Sequence, residues 1–220
     1  MTDEKTTGII LRVRPLTETS LIIHWLSPDA GRIATVAKGA RRAKSPIRGK
    51  LDLFYTAEFT YQRSRRSELH TLREVELKQT YPALRTSIEY VTLAAYCAAL
   101  IEQVTETDTP LPEFYELMEH LLQHFSTHPQ GPFTLFVFEM KLLWAHGLQP
   151  DLDEAKLTEG SRRILEQAAL LDWPALSQLK LSQSQEKEVQ HFLHNQLLVN
   201  FGKIPKSRLS ALNVMATATS

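Results

Sequence analysis

The residues best suited to chemistry lie in one short stretch, Lys38–Lys50, which reads KGARRAKSPIRGK. It holds six cations (Lys38, Arg41, Arg42, Lys44, Arg48 and Lys50) and no acid. Gly39, Gly49 and Pro46 punctuate it, so it reads as a loop rather than a helix face. Guanidinium and ammonium groups on such a loop are suited to gripping the phosphates of a polyanion. A second basic turn follows at Arg63, Arg65 and Arg66, so residues 38–66 carry nine cations against Asp52 and Glu58. The whole chain has 25 basic and 25 acidic residues, yet residues 1–80 hold 15 basic and 9 acidic, leaving the rest acidic. The positive charge is therefore a local feature, pointing to a nucleic-acid-facing part and a part that faces something else. A merely solvated basic face is the competing reading.

Other chemistries find little support. There is no GxxxxGK[ST], no dinucleotide fingerprint and no GxSxG. The acids are scattered, with no pair placed for acid–base work and no cluster suited to metal-dependent phosphodiester cleavage, so no catalytic residue is assigned. His120, His124 and His128 recur at helical spacing, and His191 and His194 are three apart. Without a neighbouring Cys or an HExxH they read as amphipathic faces, and no metal or other cofactor is assigned. The single cysteine, Cys97, sits among alanines and leucines and reads as a buried reduced thiol of a cytoplasmic protein. The apolar stretches are too short to span a bilayer, and the polar start MTDEKTTG carries no signal core.

The elements that must position these residues fall into two regimes. Up to about residue 80 the pattern is β: Gly8–Val13, Leu21–Leu26, Arg32–Lys38, Leu53–Gln62 and Leu69–Leu77 read as five strands joined by short turns. Five such strands ahead of helices fit a small barrel, of which the OB-fold is the commonest. The expected class is thus α+β, an N-terminal five-stranded OB-fold β-barrel over 1–80 followed by an all-α domain over 81–220. The basic loop and the basic turn flank the fourth strand and are expected at one end or rim of the barrel. Tyr55, Phe59 and Tyr61 share one parity and Phe54 the other; Tyr55 and Tyr61 are the candidates for base stacking, with a place in the barrel core as the alternative. Past Pro82 the period is helical: 84–104, about 112–125, 133–146 ending at Gly147, 161–171, 184–201 and 206–212. The run FTLFVFEMKLLWAH is apolar all round and marks the centre of a bundle.

The run Ala37–Arg42 with Lys44–Ser45, then Leu51–Phe54 and the TLRE of Thr71–Glu74, resembles the RecO family of recombination mediators. The likeness continues through FEMKLLWAHGLQPDL (138–152) and GKIPKSRLSAL (202–212). It implies an OB-fold ahead of a helical domain, and ATP-independent work in the bacterial cytoplasm at the nucleoid. It also implies binding of single- and double-stranded DNA, annealing of complementary strands, engagement of the SSB C-terminal tail, and action with RecR to load RecA. Arg73, within the TLRE run, joins the DNA-binding set. Lys141 on the helix over 133–146, with Arg85, is the candidate for the SSB tail, an acidic-apolar peptide that wants an apolar groove with a cation at its rim; a solvated position on a core helix is the alternative for Lys141. Many relatives carry four zinc-binding cysteines after the PDL element, whereas here DEAKLTEGS follows Leu152, so that site is absent. A different class of reading is an OB-fold scaffold that binds RNA or protein without annealing.

Overall fold

The structure, a computed structural model, describes residues 3–126, 131–176 and 179–218. Five strands, β1 (Asp3–Pro15), β2 (Leu21–Ser27), β3 (Gly31–Ala37), β4 (Thr56–Gln62) and β5 (Leu69–Gln79), close into a barrel in the order β1-β2-β3-β5-β4. Every neighbouring pair is antiparallel except β3 and β5, whose parallel pairing (Ala34 with Leu69, Val36 with Thr71) completes the ring. Closure leaves no open edge, which is how so small a sheet avoids pairing with another chain. This is the α+β arrangement expected, an OB-type barrel followed by helices. The fourth strand starts at Thr56 rather than Leu53, because residues 53 and 54 turn and Phe54 takes a positive φ of 63°.

The barrel interior follows from period-2 alternation. Ile23, Trp25, Ile33, Ala37, Phe59, Tyr61, Leu72 and Val75 point inward into one cluster. Trp25 stacks on Phe59 with ring centroids 4.0 Å apart and donates its indole N–H to Thr35 Oγ1 at 2.9 Å, so its one polar atom is satisfied inside the barrel.

The barrel unit is larger than residues 1–80. It comprises 1–81 together with 105–119, while 82–104 and 120–220 form the helical unit. The returning segment adds strand-like contacts: Thr107 bridges Arg32, Asp108 N–H donates to Arg32 O at 3.1 Å, and Leu111 N–H donates to Pro28 O at 3.0 Å. Gly31 is required here. Its φ is +69°, and a Cβ would collide with the Thr109 carbonyl.

The helices are α1 (Ile88–Val104), α2 (Pro112–His124), α3 (Pro132–Ala145), α4 (Glu159–Leu170), α5 (Trp173–Leu176), α6 (Gln183–Phe201) and α7 (Ser207–Ala218). The single helix expected over 84–104 is instead a 3-10 turn (Pro82–Arg85), a break, and α1. α7 runs further than residue 212, and α5 was not anticipated because four residues carry no periodicity. α3 is buried on all sides, Phe136, Val137 and Phe138 in succession, and packs against α1, α4, α6 and α7. It ends as expected at Gly147 (φ 73°), where Leu148 N–H reaches back to Leu143 O at 2.8 Å, a Schellman closure. Ser182 and Gln185 form a capping box at the start of α6. Among the described residues, no helix is long and apolar enough to cross a membrane.

Candidate nucleic-acid interface

The basic segment 38–50 is a chain of turns held by its own backbone. Arg42 N–H donates to Gly39 O, Ser45 to Arg42, Arg48 to Ser45 and Lys50 to Ile47, at 3.0–3.2 Å. Its apolar residues face inward. Ala40 is buried in the barrel cluster, and Ile47 and Leu51 pack against it. The segment thus plugs one end of the barrel while its cations are left outside. Lys38, Arg41, Arg42, Lys44 and Arg48 are exposed and Lys50 is half-buried.

Three of these cations also anchor the plug. The Arg41 guanidinium donates to Thr17 O at 3.1 Å and its backbone N–H to Thr19 O at 3.1 Å, tying the segment to the β1–β2 turn. Arg48 donates to Ala43 O at 3.4 Å, and the Lys50 ammonium to Val75 O on β5 at 3.3 Å. The side chains of Lys38, Arg42 and Lys44 have no hydrogen-bond or ion-pair partner among the described residues.

The second basic turn does not share that end. It leaves β4 at Gln62, whereas the plug joins β4 at Thr56, so the seven residues of β4, about 20 Å at the strand rise, lie between the two junctions. The expectation of one common rim is corrected: antiparallel order carries the β3–β4 and β4–β5 connections to opposite ends of β4. At this far end Arg63 is engaged internally. It donates to Glu4 at 2.8 and 3.1 Å and to Asp108 at 2.6 Å, and lies over the Tyr61 ring at 5.7 Å. The hydrogen bond to Glu4 raises the Arg63 pKa and holds the Glu4 carboxyl below its usual range. A phosphate would have to displace two carboxylates from Arg63, whereas Arg65 and Arg66 are exposed and their guanidinium groups have no partner among the described residues. Arg73 is exposed on β5, donates to Gln62 Oε1 at 2.8 Å, and lines a cleft of about 490 Å³ with Lys50 and Ile47 of the plug.

The aromatic expectation is corrected for Tyr61. It is 1% exposed, its hydroxyl donates to Glu4 at 2.7 Å, and burial followed by the Glu4 contact pushes its pKa up to about 12. A ring enclosed in this way offers no face to a base. Tyr55 lies just before β4, half-buried against the same cluster, and Phe54 and Phe59 are buried. A small barrel needs these rings to fill its interior, and period 2 gave no means of telling filling from display.

Residues 1–81 match the family model Recombination protein O N terminal, and residues 85–155 match Recombination protein O C terminal. The chain belongs to the RecO family. The DNA repair protein RecO of Bacillus pumilus is 30% identical over 150 residues, which are 68% of this chain and 58% of that protein. The DNA repair protein RecO of Listeria monocytogenes serotype 4b is 29% identical over 154 residues, 70% of this chain and 60% of that one. That of an Anaeromyxobacter species is 29% identical over 149 residues, 68% and 59%. The chain thus spans about three-fifths of the length of the curated relatives it matches.

In the helical unit of this RecO-family chain, Lys141 is held by carbonyls at the end of α4. Its ammonium donates to Leu171 O at 2.6 Å and Ala169 O at 3.4 Å, and burial lowers its pKa. It is neither the solvated position nor a free cation at a groove rim; it caps a helix C-terminus. Arg85, in the 3-10 turn, is exposed. Cys97 is fully buried, which pushes its thiol pKa well up and makes it a poor nucleophile. His124 is buried with its ring 5.3 Å from Trp173, His120 is exposed, and His128 lies outside the described residues. His191 contacts Asn195 at 3.1 Å, and it and His194 line a groove of about 640 Å³ between α6 and the start of α7. Among the described residues no three His, Cys, Asp or Glu side chains are grouped to hold a metal. Sequence reasoning missed the internal clasp of Arg63, whose partners Glu4 and Asp108 are 59 and 45 residues away and give no local signal.

Proposed function

We propose that this chain acts as a recombination mediator in DNA repair. In this reading it binds single- and double-stranded DNA, anneals complementary strands and, with RecR, helps load RecA onto SSB-coated single strands without nucleotide hydrolysis. The observation that carries the reading is the plug. Its apolar residues are seated in the barrel and its cations are left on the surface, which fixes a cluster of positive charge at low entropic cost. Such contacts are to phosphates and carry no sequence information. With Trp25, Phe59 and Tyr61 enclosed, strands would be held chiefly by their backbones with base edges open to a complement. Screening of strand–strand repulsion at such a surface favours pairing. The relatives named above are DNA repair proteins, which accords with this activity.

A fluorescence assay of complementary-strand annealing, run with and without SSB, tests the proposal. Charge reversal at Arg41, Arg42 and Lys44 should abolish most of the acceleration; equal acceleration by wild type and variant would sink it. The SSB tail is a proposed partner of the helical unit, and RecR a proposed partner of the chain. Because Lys141 caps α4, Arg85→Glu is the cleaner probe of tail binding: in a folded variant it should weaken binding of the acidic tail peptide, and unchanged binding would remove Arg85 from the site.

A further inference from the structure

The far end of the barrel, where β4 gives way to the basic turn, is closed by a polar cluster around His70 of β5. The ring shares the inward side of β5 with Leu72, is 2% exposed, and stacks on Tyr61 with centroids 5.4 Å apart. Its Nδ1 accepts the backbone N–H of Ser64, the residue between Arg63 and Arg65, at 3.3 Å. A backbone amide can only donate, so the neutral ring carries its proton on Nε2. That atom has no hydrogen-bond partner among the described residues and lies 3.6 Å from Asp108 Oδ1. Titratable and charged groups reach the ring from Glu4 on β1, Tyr61 on β4 and Asp108 on the returning segment, with Arg63 bridging the two carboxylates. β3 contributes Thr35, which is paired with His70 and uncharged.

The basic turn hangs from Ser64. Ser64 Oγ accepts the N–H groups of Arg66 and Ser67, each at 3.2 Å, and Ser67 Oγ accepts Leu69 N–H at 3.3 Å where β5 begins. The path from the ring to the backbone of Arg66 is therefore two hydrogen bonds long, through the N–H and then the Oγ of Ser64. Protonation of the ring would set an N–H on Nδ1 against the Ser64 N–H. Two donors would then face each other and the bond would be lost. Imidazole is the side chain that makes this change near neutral pH.

We propose that His70 is a positioning residue for DNA binding: its neutral ring holds Ser64 and so fixes Arg65 and Arg66 for phosphate contact, and protonation releases the turn. This rests on the DNA-binding reading given above, with the basic turn as one of its phosphate contacts. The response is opposite in sign to that of charge alone, because here an added proton weakens the grip on a polyanion.

The test is the affinity of the full chain for an oligothymidylate, titrated by anisotropy at constant salt from about pH 8 to about pH 5. Wild type is compared with His70→Asn, whose side-chain oxygen can stand in for Nδ1 and accept from Ser64 at every pH, and with His70→Phe, which keeps a ring on Tyr61 and removes the acceptor. The other histidines are common to all three proteins, so affinity ratios cancel them. Wild type should match His70→Asn at the alkaline end and fall to the level of His70→Phe at the acid end. The ratio of wild type to His70→Asn should change by about threefold to tenfold, the worth of one hydrogen bond. With Arg65→Gln/Arg66→Gln added to both proteins, that change should vanish. A wild-type to His70→Asn ratio that is constant with pH would overturn the proposal, as would a change that persists without Arg65 and Arg66. Should a His70 variant fail to fold, wild type against Arg65→Gln/Arg66→Gln decides: the advantage of wild type should shrink toward the acid end. An advantage that holds or grows there, or none at the alkaline end, would overturn the proposal while leaving phosphate binding by the plug intact. Wild type that binds no oligothymidylate at any pH would overturn the DNA-binding reading itself, and this proposal with it.

Discussion

Glu139 is fully buried on α3 and accepts three hydrogen bonds, from Tyr96 Oη at 2.5 Å and from Arg208 Nε and Nη2 at 2.7 and 2.8 Å. The pair joins α7 to the centre of the bundle, and Tyr96 completes the carboxylate's partners. Burying two charges is costly, so removing one partner is worse than removing both. Glu139→Ala should therefore destabilise the helical unit by about 3–5 kcal/mol in urea denaturation, and the double change Glu139→Leu with Arg208→Met by clearly less. A second residue-scale prediction concerns acid. Arg63 holds the Glu4 carboxyl below its ordinary range, so this contact stabilises the fold above the unfolded value of about 4.3 and is lost as pH falls through the lower folded value. Glu4→Gln should flatten the acid limb of the stability profile. The change should be modest, because the side chain is 40% exposed.

At the scale of elements, the two basic clusters act from opposite ends of β4, so their effects should be independent. Log affinities for single-stranded DNA should add, within about 0.3–0.5 kcal/mol, when Arg65→Glu/Arg66→Glu is combined with Arg41→Glu/Arg42→Glu. Strong non-additivity would place both on one continuous contact. What the chain made legible follows the range of the physics involved. The β-branched and aromatic content of LIIHWL, the alternation in RIATVA and the all-apolar run of α3 are local signals, and each element appeared where these signals placed it. The plug was legible as a loop from its glycines and proline, but its anchoring through Ala40, Ile47 and Leu51 was not, since three apolar residues in a cationic loop have no period. The return of 105–119 to the barrel was likewise hidden, because backbone pairing of Thr107 with Arg32 is blind to side-chain type. Tyr61 shows the same limit: parity gave its side of the strand correctly, but not that this side is the sealed interior.

For the molecule as a whole, neutrality conceals local charge. The barrel unit has 15 basic and 14 acidic residues, because 105–119 adds five acids and no base to residues 1–81, and the helical unit has 10 and 11, so the positive charge belongs to the plug and the basic turn rather than to a whole unit. The central claim is that the plug grips DNA through its phosphates, and salt dependence reads this most directly. If about six cations engage a single strand, the slope of log K against log salt should lie near −4. The measurement is a salt titration of oligothymidylate affinity for wild type and for Arg41→Glu/Arg42→Glu/Lys44→Glu. The account predicts that the variant binds more weakly, with a slope reduced by about 2. An unchanged slope and affinity in a folded variant would contradict it.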